Sequence, residues 1–587
     1  MSIFDCRYSV STHISAKSRA DVKVSDAYLY LRSHWPFAIV AIVGAALLLT
    51  NLGSDYLWAD EGDTAVLATN IVKFGLPKAW DGVTFMDSDF GTRVNDRLVM
   101  VSSPWLQYYI TAASFLLFGE NTFAARLPFA LAGWLTLWCV YRLVWKATAD
   151  RRAALSGAIL TICSVQFLLF CRESRYYALA MFFTCLLIEN FLQMRSLKRA
   201  ALFGIVAILL FHTHPIGIVP VFALGTLTLI DRGFLPQRRW FWLAISPVLI
   251  FTMPWFAVAR AGYTENAALV PSIRDFFIRF IQYSTECSSV TPLIGVIALC
   301  LAAIIVRCWT GLLFQPRERQ LLVIILAVCV SFAVAMAITQ RTAALWVTGV
   351  RYTSAVIPLL AMAAAVLILN VSRTRNSVLF TVLFIFVFTN FGRITPWIFW
   401  ADKNPDPENK IVALHVPANT TDSFFPTEDL LFVRDLWHSN IGTMGECVEF
   451  LRTHADPRDL IITNYESEPL YFHTRLPQGM KITKQDTIYD SARWRGLPEY
   501  VFGVDHARWV VWRFNWDDYL GIRWPEVANH LLAEGAQIKS VAEIKETGWE
   551  NRENIHFHRF SGGTYLFPHD TNLQAAHIFR VDWPAGP

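Results

Sequence analysis

Charge is what this chain has least of. Only 17% of its 587 residues are Asp, Glu, Lys or Arg, where a soluble protein carries about a quarter. With 54% hydrophobic residues, the composition points to a polytopic membrane protein. Paired cysteines are missing too: the ten cysteines form no CxxC and no ligand-like cluster, so they argue for neither a disulfide framework nor a metal site. Cys139, Cys163, Cys185, Cys300, Cys308 and Cys329 lie inside apolar runs, where a thiol acts as a small hydrophobe. The formal charge of +4 is scattered along the chain and leaves no footprint for nucleic acid. Internal repeats, heptads and low-complexity tracts are absent as well.

What the chain does have is a series of apolar runs. Residues 1–34 are polar and hold Arg7, Lys17, Arg19, Lys23 and Arg32. The run from Trp35 to Leu52 then reaches about the minimum for a bilayer crossing. Its long leader and the lack of a small-x-small exit favour an uncleaved first span with a cytoplasmic amino terminus. Further spans are expected near 123–145, 153–170, 177–194, 200–213, 216–231, 240–258, 292–308, 320–338, 353–371 and 377–394. Pro104 to Gly119 is short and loaded with Trp and Tyr, the mark of an interfacial helix with an aromatic belt. Leaving it out of the membrane puts the basic loops Lys146–Arg152, Lys198-Arg199, Asp231–Arg239, Arg307–Arg319 and Arg373–Arg375 on the inner side. Positive-inside bias therefore chooses about eleven spans.

Residues 53–103 form a long acidic outer loop on this reading. From about Ala401 polar residues return and the apolar runs shorten. A soluble extracytoplasmic α/β domain is expected over 401–587, with strands at 460–464, 509–512 and 556–560 and helices at 445–453 and 525–533. The transmembrane domain covers 35–400, with the first outer loop and interfacial helix at 53–122.

Four clusters fall on the outer face. They are Asp60-Glu61, Arg126-Leu-Pro, Cys171-Arg-Glu-Ser-Arg-Tyr-Tyr177, and Gln340 to Tyr352 with Arg341, Trp346, Arg351 and Tyr352. Ionisable groups at the lip of a bundle are costly unless they pair or face water, which makes them functional candidates. A partly desolvated carboxylate suits general-base work, its pKa rising unless a cation compensates. Arginine presents a planar fork to phosphate oxygens. Taken singly, Arg172 and Arg175 could equally snorkel, and Arg126 could equally pair with a nearby acid. His212 and His214, in the break His212-Thr-His-Pro-Ile-Gly217, read as polar residues at a helix interruption.

These blocks together resemble one family. Trp58-Ala-Asp-Glu-Gly-Asp-Thr-Ala65 with Gly75-Leu-Pro77 is similar to the first outer loop of the dolichyl-phosphate-mannose–protein mannosyltransferase superfamily. Ser103-Pro-Trp-Leu-Gln-Tyr-Tyr109, Leu117-Phe-Gly119 and Ala124-Ala-Arg-Leu-Pro128 resemble its next block. Arg172-Glu-Ser-Arg-Tyr-Tyr-Ala-Leu179 resembles a second-loop motif of its bacterial branch. The match spans roughly residues 35 to 260.

The resemblance implies a C-type glycosyltransferase fold and a sugar donor carried on polyprenyl phosphate. By it Asp60 maps onto the catalytic base and Glu61 onto its companion acid. Arg126, Glu173, Arg175 and Tyr176 fall along the donor pocket, and Arg351-Tyr352 resembles a late phosphate contact. Ser103 stands where several relatives have an ionisable residue, and the second loop offers Glu173 where some have Asp. No cofactor is assigned, and a divalent metal is left open. The expected activity is transfer of a hexose or pentose to a glycan, lipid or protein acceptor outside a bacterial plasma membrane, in the service of the cell envelope. A lipid flippase or exporter and a non-catalytic membrane sensor are the alternatives.

Overall fold

The computed structural model describes residues 35–86, 93–230, 238–258, 314–339, 350–372 and 376–388, then 441–464, 466–479, 497–501, 506–514, 523–545 and 574–584, with short stretches near 272–280 and 432–437. The expected span at 292–308, the strand at 556–560, Arg341, Trp346, Cys300 and Cys308 lie outside the described residues.

The apolar runs are helical, as backbone in hydrocarbon must be to satisfy its own polar groups. In chain order they are α1 (Trp35–Leu49), α2 (Ala59–Phe74), α3 (Leu106–Phe118), α4 (Thr122–Thr148), α5 (Arg151–Ile162), α6 (Val165–Cys171), α7 (Tyr177–Leu192), α8 (Leu197–Thr213), α9 (Val219–Ile230), α10 (Arg238–Val258), α11 (Pro316–Thr339), α12 (Val356–Ser372) and α13 (Asn376–Phe388). Among the described residues, α4, α10 and α11 are each long and apolar enough to cross a membrane. The run expected as one span at 153–170 is two helices, α5 and α6, bent by 65° around Cys163-Ser164 and together apolar and long enough for one broken span or a re-entrant loop. Cys163 closes α5 through its N–H to the Ile159 carbonyl, and the chain turns there.

At the centre of the bundle lies α12. Every residue from Val356 to Asn370 is buried, the pattern of a helix apolar on all sides and surrounded by others. It packs on α4, α5, α7, α11 and α13. Outward-facing positions are apolar as well, with Phe222 67% and Phe380 69% exposed, as lipid-facing surface should be. In α3 the same inversion is local. Gln107, Thr111 and Ser114 are buried while Leu116 and Leu117 are exposed.

The acidic segment 53–103 is more ordered than a loop. It begins with α2, whose residues Glu61 to Ala68 are all buried. With no solvated face, α2 shows no apolar stripe in its sequence, and so hides its period. Between α8 and α9 the chain breaks at His214 and makes a single 3-10 turn, Pro215–Ile218. A side chain at Gly217 would lie 2.4 Å from the Leu210 carbonyl oxygen, so only glycine lets the turn close on α8.

The C-terminal region forms a sheet ordered β1-β2-β4-β3, from Ile461–Thr463, Trp509–Trp512, Gln537–Lys545 and Gln574–Asp582 taken as β1 to β4. β1 and β2 are parallel, and β4 runs antiparallel to both β2 and β3. Trp509 and Val511 face one apolar cluster with Val448 and Leu451 of α14 (Gly442–His454). Val510 and Trp512 face another with Val527 and Leu531 of α16 (Trp524–Ala533). Helix α15 (Ser467–Thr474) leaves this sheet and lies on α2. Its Tyr471 and Phe472 join Leu57, Ala65, Val66 and Phe115 in one core.

Candidate active site

Asp60 and Glu61 stand in the first turn of α2, where the positive end of the helix dipole favours carboxylates. Consecutive helical residues diverge by about 100°, so the two acids meet different partners.

Asp60 is the hub of one cluster. Arg351 Nη1 donates to Asp60 Oδ2 at 2.9 Å, and Arg175 Nη2 lies 3.3 Å from the same oxygen. Arg175 Nη1 donates also to the Asp60 carbonyl at 3.1 Å and to Thr64 Oγ1 at 3.4 Å. Asp60 Oδ1 has no hydrogen bond among the described residues, and the side chain keeps 18% exposure. Burial works to raise the Asp60 pKa. The charges of Arg175, Arg351 and Arg93 outweigh it and hold the carboxyl below its usual range. The compensating cations anticipated for a desolvated carboxylate are therefore in place.

Arg351 arrives on a 3-10 turn, Val350–Thr353, immediately before α12, so a helix buried from Val356 to Asn370 sets its position. Tyr176, at the mouth of α7, stacks on His214 at 4.3 Å between ring centroids and lies parallel to Tyr352 at 6.3 Å. Arg351 lies 5.3 Å from the Tyr352 ring and Arg175 5.9 Å from Tyr176, distances of cation–π contact. Arg175 Nε and the hydroxyls of Tyr176 and Tyr177 are buried without a hydrogen-bond partner among the described residues. Buried donors in native proteins are nearly always satisfied, so these three point to a ligand with acceptor oxygens.

Glu61 belongs to a second cluster. It is fully buried, and Arg126 grips it with two donors, Nε to Oε1 at 2.8 Å and Nη2 to Oε2 at 2.7 Å. The N–H of Ser174 adds a third bond at 2.7 Å. Arg126 spends its other donors on the carbonyls of Leu52, Asp55 and Tyr56, at 3.1 to 3.2 Å. Glu173 is buried between Arg172 and Ser174, and its charge acts on Arg126. Arg172 covers the open end of α1. Its Nη1 donates to the carbonyls of Leu47, Leu48 and Thr50, which a helix terminus leaves without partners.

Of the residues singled out in the sequence, Asp60, Arg175, Tyr176, Arg351 and Tyr352 come together in one cluster. Glu61, Arg126 and Glu173 form the frame behind it. Sequence reading quoted Asp63, Thr64 and Tyr177 within its motifs but gave them no role in the site, and it missed Arg93 and the stacking of His214. Asp63 and Thr64 follow Asp60 by three and four positions, the spacing that shares a helix face, so recognising α2 would have found them. Asp63 lies 3.6 Å from Arg93. Burial and the nearby Glu468 push its carboxyl well above the ordinary range.

At Asp60 the groups that hold the carboxylate, through Oδ2, are guanidinium cations rather than further metal-ligating side chains. Among the described residues no three His, Cys, Asp or Glu side chains converge as ligands.

Comparisons with known proteins bear on the family resemblance and on the fold. The sequence pattern of the dolichyl-phosphate-mannose-protein mannosyltransferase family matches residues 102–257, the family that the motifs resemble. ArnT from Cupriavidus metallidurans in its apo state superposes with a TM-score of 0.55 and 14% identity, covering 94% of this chain and 98% of that one. The same protein bound to undecaprenyl phosphate gives a TM-score of 0.53 and 15% identity, covering 94% and 99%. No curated protein matches the sequence. The fold is that of the C-type glycosyltransferases, and the chain is a polytopic membrane protein.

Proposed function

We propose that the chain is a membrane glycosyltransferase that moves a sugar from a polyprenyl-phosphate donor to an acceptor hydroxyl. The observation that carries this reading is the asymmetry of Asp60, with one oxygen held by two arginines and the other without a hydrogen bond among the described residues. Arg175 and Arg351 keep the carboxylate ionised, and Oδ1 is placed to receive a proton. As the acceptor hydroxyl gives that proton to Asp60, its oxygen bonds to the anomeric carbon. The bond from that carbon to the phosphate oxygen breaks on the opposite side. The electron pair leaves on the polyprenyl phosphate, and the sugar inverts.

Phosphate leaves without protonation, so no general acid is needed. Growing charge on the leaving oxygens is offset by donors fixed in advance, which is the usual source of the largest rate gain. Arg351, Arg175 Nε and the hydroxyls of Tyr176 and Tyr177 are the donors at hand. Glu61 and Arg126 do not touch substrate on this reading. They lock the turn that carries Asp60, and Glu173 tunes Arg126. The likeness in fold to ArnT bound to undecaprenyl phosphate supports a lipid phosphate beside Asp60. The reaction takes place at the outer face of a bacterial plasma membrane, in a bundle of about eleven spans, with the amino terminus cytoplasmic and the C-terminal domain outside.

The test is transfer by purified protein in lipid nanodiscs, offered a panel of undecaprenyl-phosphate sugars with glycan, lipid and peptide acceptors. Wild type is expected to turn over one donor, and Asp60→Asn to lose about a thousandfold or more. A lipid exporter or a sensor would not depend on the Asp60 carboxylate. Full activity in Asp60→Asn would overturn the mechanism.

A further inference from the structure

The region from β1 onward is joined to the catalytic turn by contacts that the chemistry above does not use. The Leu57 N–H donates to Nε2 of His473, on α15, at 3.0 Å. Leu57 is fully buried, and the residues after it are Trp58, the N-cap of α2, and then Ala59 and Asp60. Because Nε2 accepts, the imidazole is neutral and carries its proton on Nδ1. The Tyr56 ring meets the His473 ring edge-on at 4.7 Å. Arg452 of α14 fixes the other side of the residue, with Nε and Nη2 donating to its carbonyl at 3.1 and 2.7 Å.

One helical turn on, Gly62 packs against α15 so closely that an added Cβ would lie 2.4 Å from Pro469 N and Cδ. Three more bonds bind the same two parts. Tyr471 Oη donates to Asp81 Oδ2, the Gln478 N–H to Thr84 Oγ1 at 3.2 Å, and Arg475 Nη2 to Glu120 Oε2 at 2.7 Å.

We propose that α15 is part of the catalytic unit, with His473 as a positioning residue that holds the turn before Asp60 through the Leu57 N–H. This rests on Asp60 being the base. His473 touches no substrate. Its effect passes through the backbone of residues 57–60, because a buried N–H that loses its acceptor pulls the chain toward water.

The contact also carries a pH dependence. The charged groups facing His473 are Arg452, Arg126 and Arg475, all cations, while Glu449 reaches only the Tyr56 hydroxyl, at 3.5 Å. Burial first, then those three cations, push the docked imidazole down to about 3 from its ordinary 6.5. An undocked His473 takes up a proton below 6.5 and a docked one does not. Docking is therefore at full strength above that value and weakens by up to about tenfold per pH unit below it.

The experiment uses full-length protein in nanodiscs and two readouts. The first is amide exchange of residues 57–64, corrected for intrinsic rate, between pH 5 and 8. The second is transfer from whichever undecaprenyl-phosphate sugar the wild type uses. His473→Ala should raise exchange about tenfold and lower kcat about tenfold, with KM for the lipid within about threefold. His473→Gln can present an amide oxygen to Leu57. It should restore protection and remove the wild-type loss of protection below pH 6.5. Gly62→Ala should raise exchange with His473 intact.

Unchanged exchange and kcat in His473→Ala would overturn the proposal. If that variant does not fold, a wild-type acid slope in His473→Gln would overturn it instead. A wild type that transfers from no donor would sink the glycosyltransferase reading alone, because the exchange data still judge the clamp.

Discussion

Arg351 Nη1 and Asp60 Oδ2 lie 2.9 Å apart across 291 positions of sequence. The contact ties the turn before the central helix α12 to the first turn of α2. With Arg175 it holds the Asp60 carboxyl below its usual range in a place where burial works to raise it.

Arg351→Gln and Arg351→Lys separate the charge from the fork. Lysine keeps the cation but cannot present two parallel donors, and should cost about 10- to 100-fold in transfer. Glutamine should cost more. Steady-state kinetics on the two variants check this, and equal rates for Lys and Arg would remove the fork from the argument.

The same pair sets the acid limb of activity. The folded pKa of Asp60 is depressed, so its charge adds stability above the unfolded value of 3.8 that is lost as pH falls through the folded pKa. Wild type should hold its rate into the low carboxylate range. Arg175→Gln or Arg351→Gln removes a cation and leaves burial, so the limb should move to higher pH. A rate–pH profile of each variant settles the direction.

Breaking the Arg126–Glu61 pair should act on folding more than on chemistry. Removing one partner of a buried ion pair costs about 3 to 5 kcal/mol, because the other charge stays behind. Glu61→Gln and Arg126→Met should each lower the melting temperature sharply, and the double variant by less than the sum. Thermal melts of the four proteins in detergent measure the coupling.

Asp63 has the opposite sign. Its folded pKa lies above 3.8, so the unfolded chain ionises first and stability declines as pH rises from 3.8 toward the folded value. Each unit of such a shift is worth about 1.4 kcal/mol. Asp63→Asn mimics the neutral form. It should raise the melting temperature at pH 8 and have little effect near pH 4.

Much of the bundle was legible along the chain. Helices stand where the apolar runs 123–145, 320–338 and 353–371 lie, because lipid leaves the backbone no other way to pair its polar groups. The motif acids and arginines were legible too, as ionisable groups are rare enough in such a chain to stand out. Helix α2 and α15 were not, since both are enclosed by neighbours and neither shows a one-sided pattern. The break between α5 and α6 was hidden because a 65° bend leaves the hydropathy of the run intact.

Sequence alone determined that this is a membrane protein with carboxylates and guanidinium groups gathered at particular loops, and named the family that it resembles. Tertiary structure decided which acid meets which arginine. Asp60 and Glu61 are neighbours in the chain, but the helical rotation between them sends one to Arg351 and Arg175 and the other to Arg126. Partners so distant in sequence leave no local trace, because their distance is set by how α4, α7 and α12 pack rather than by any spacing along the chain.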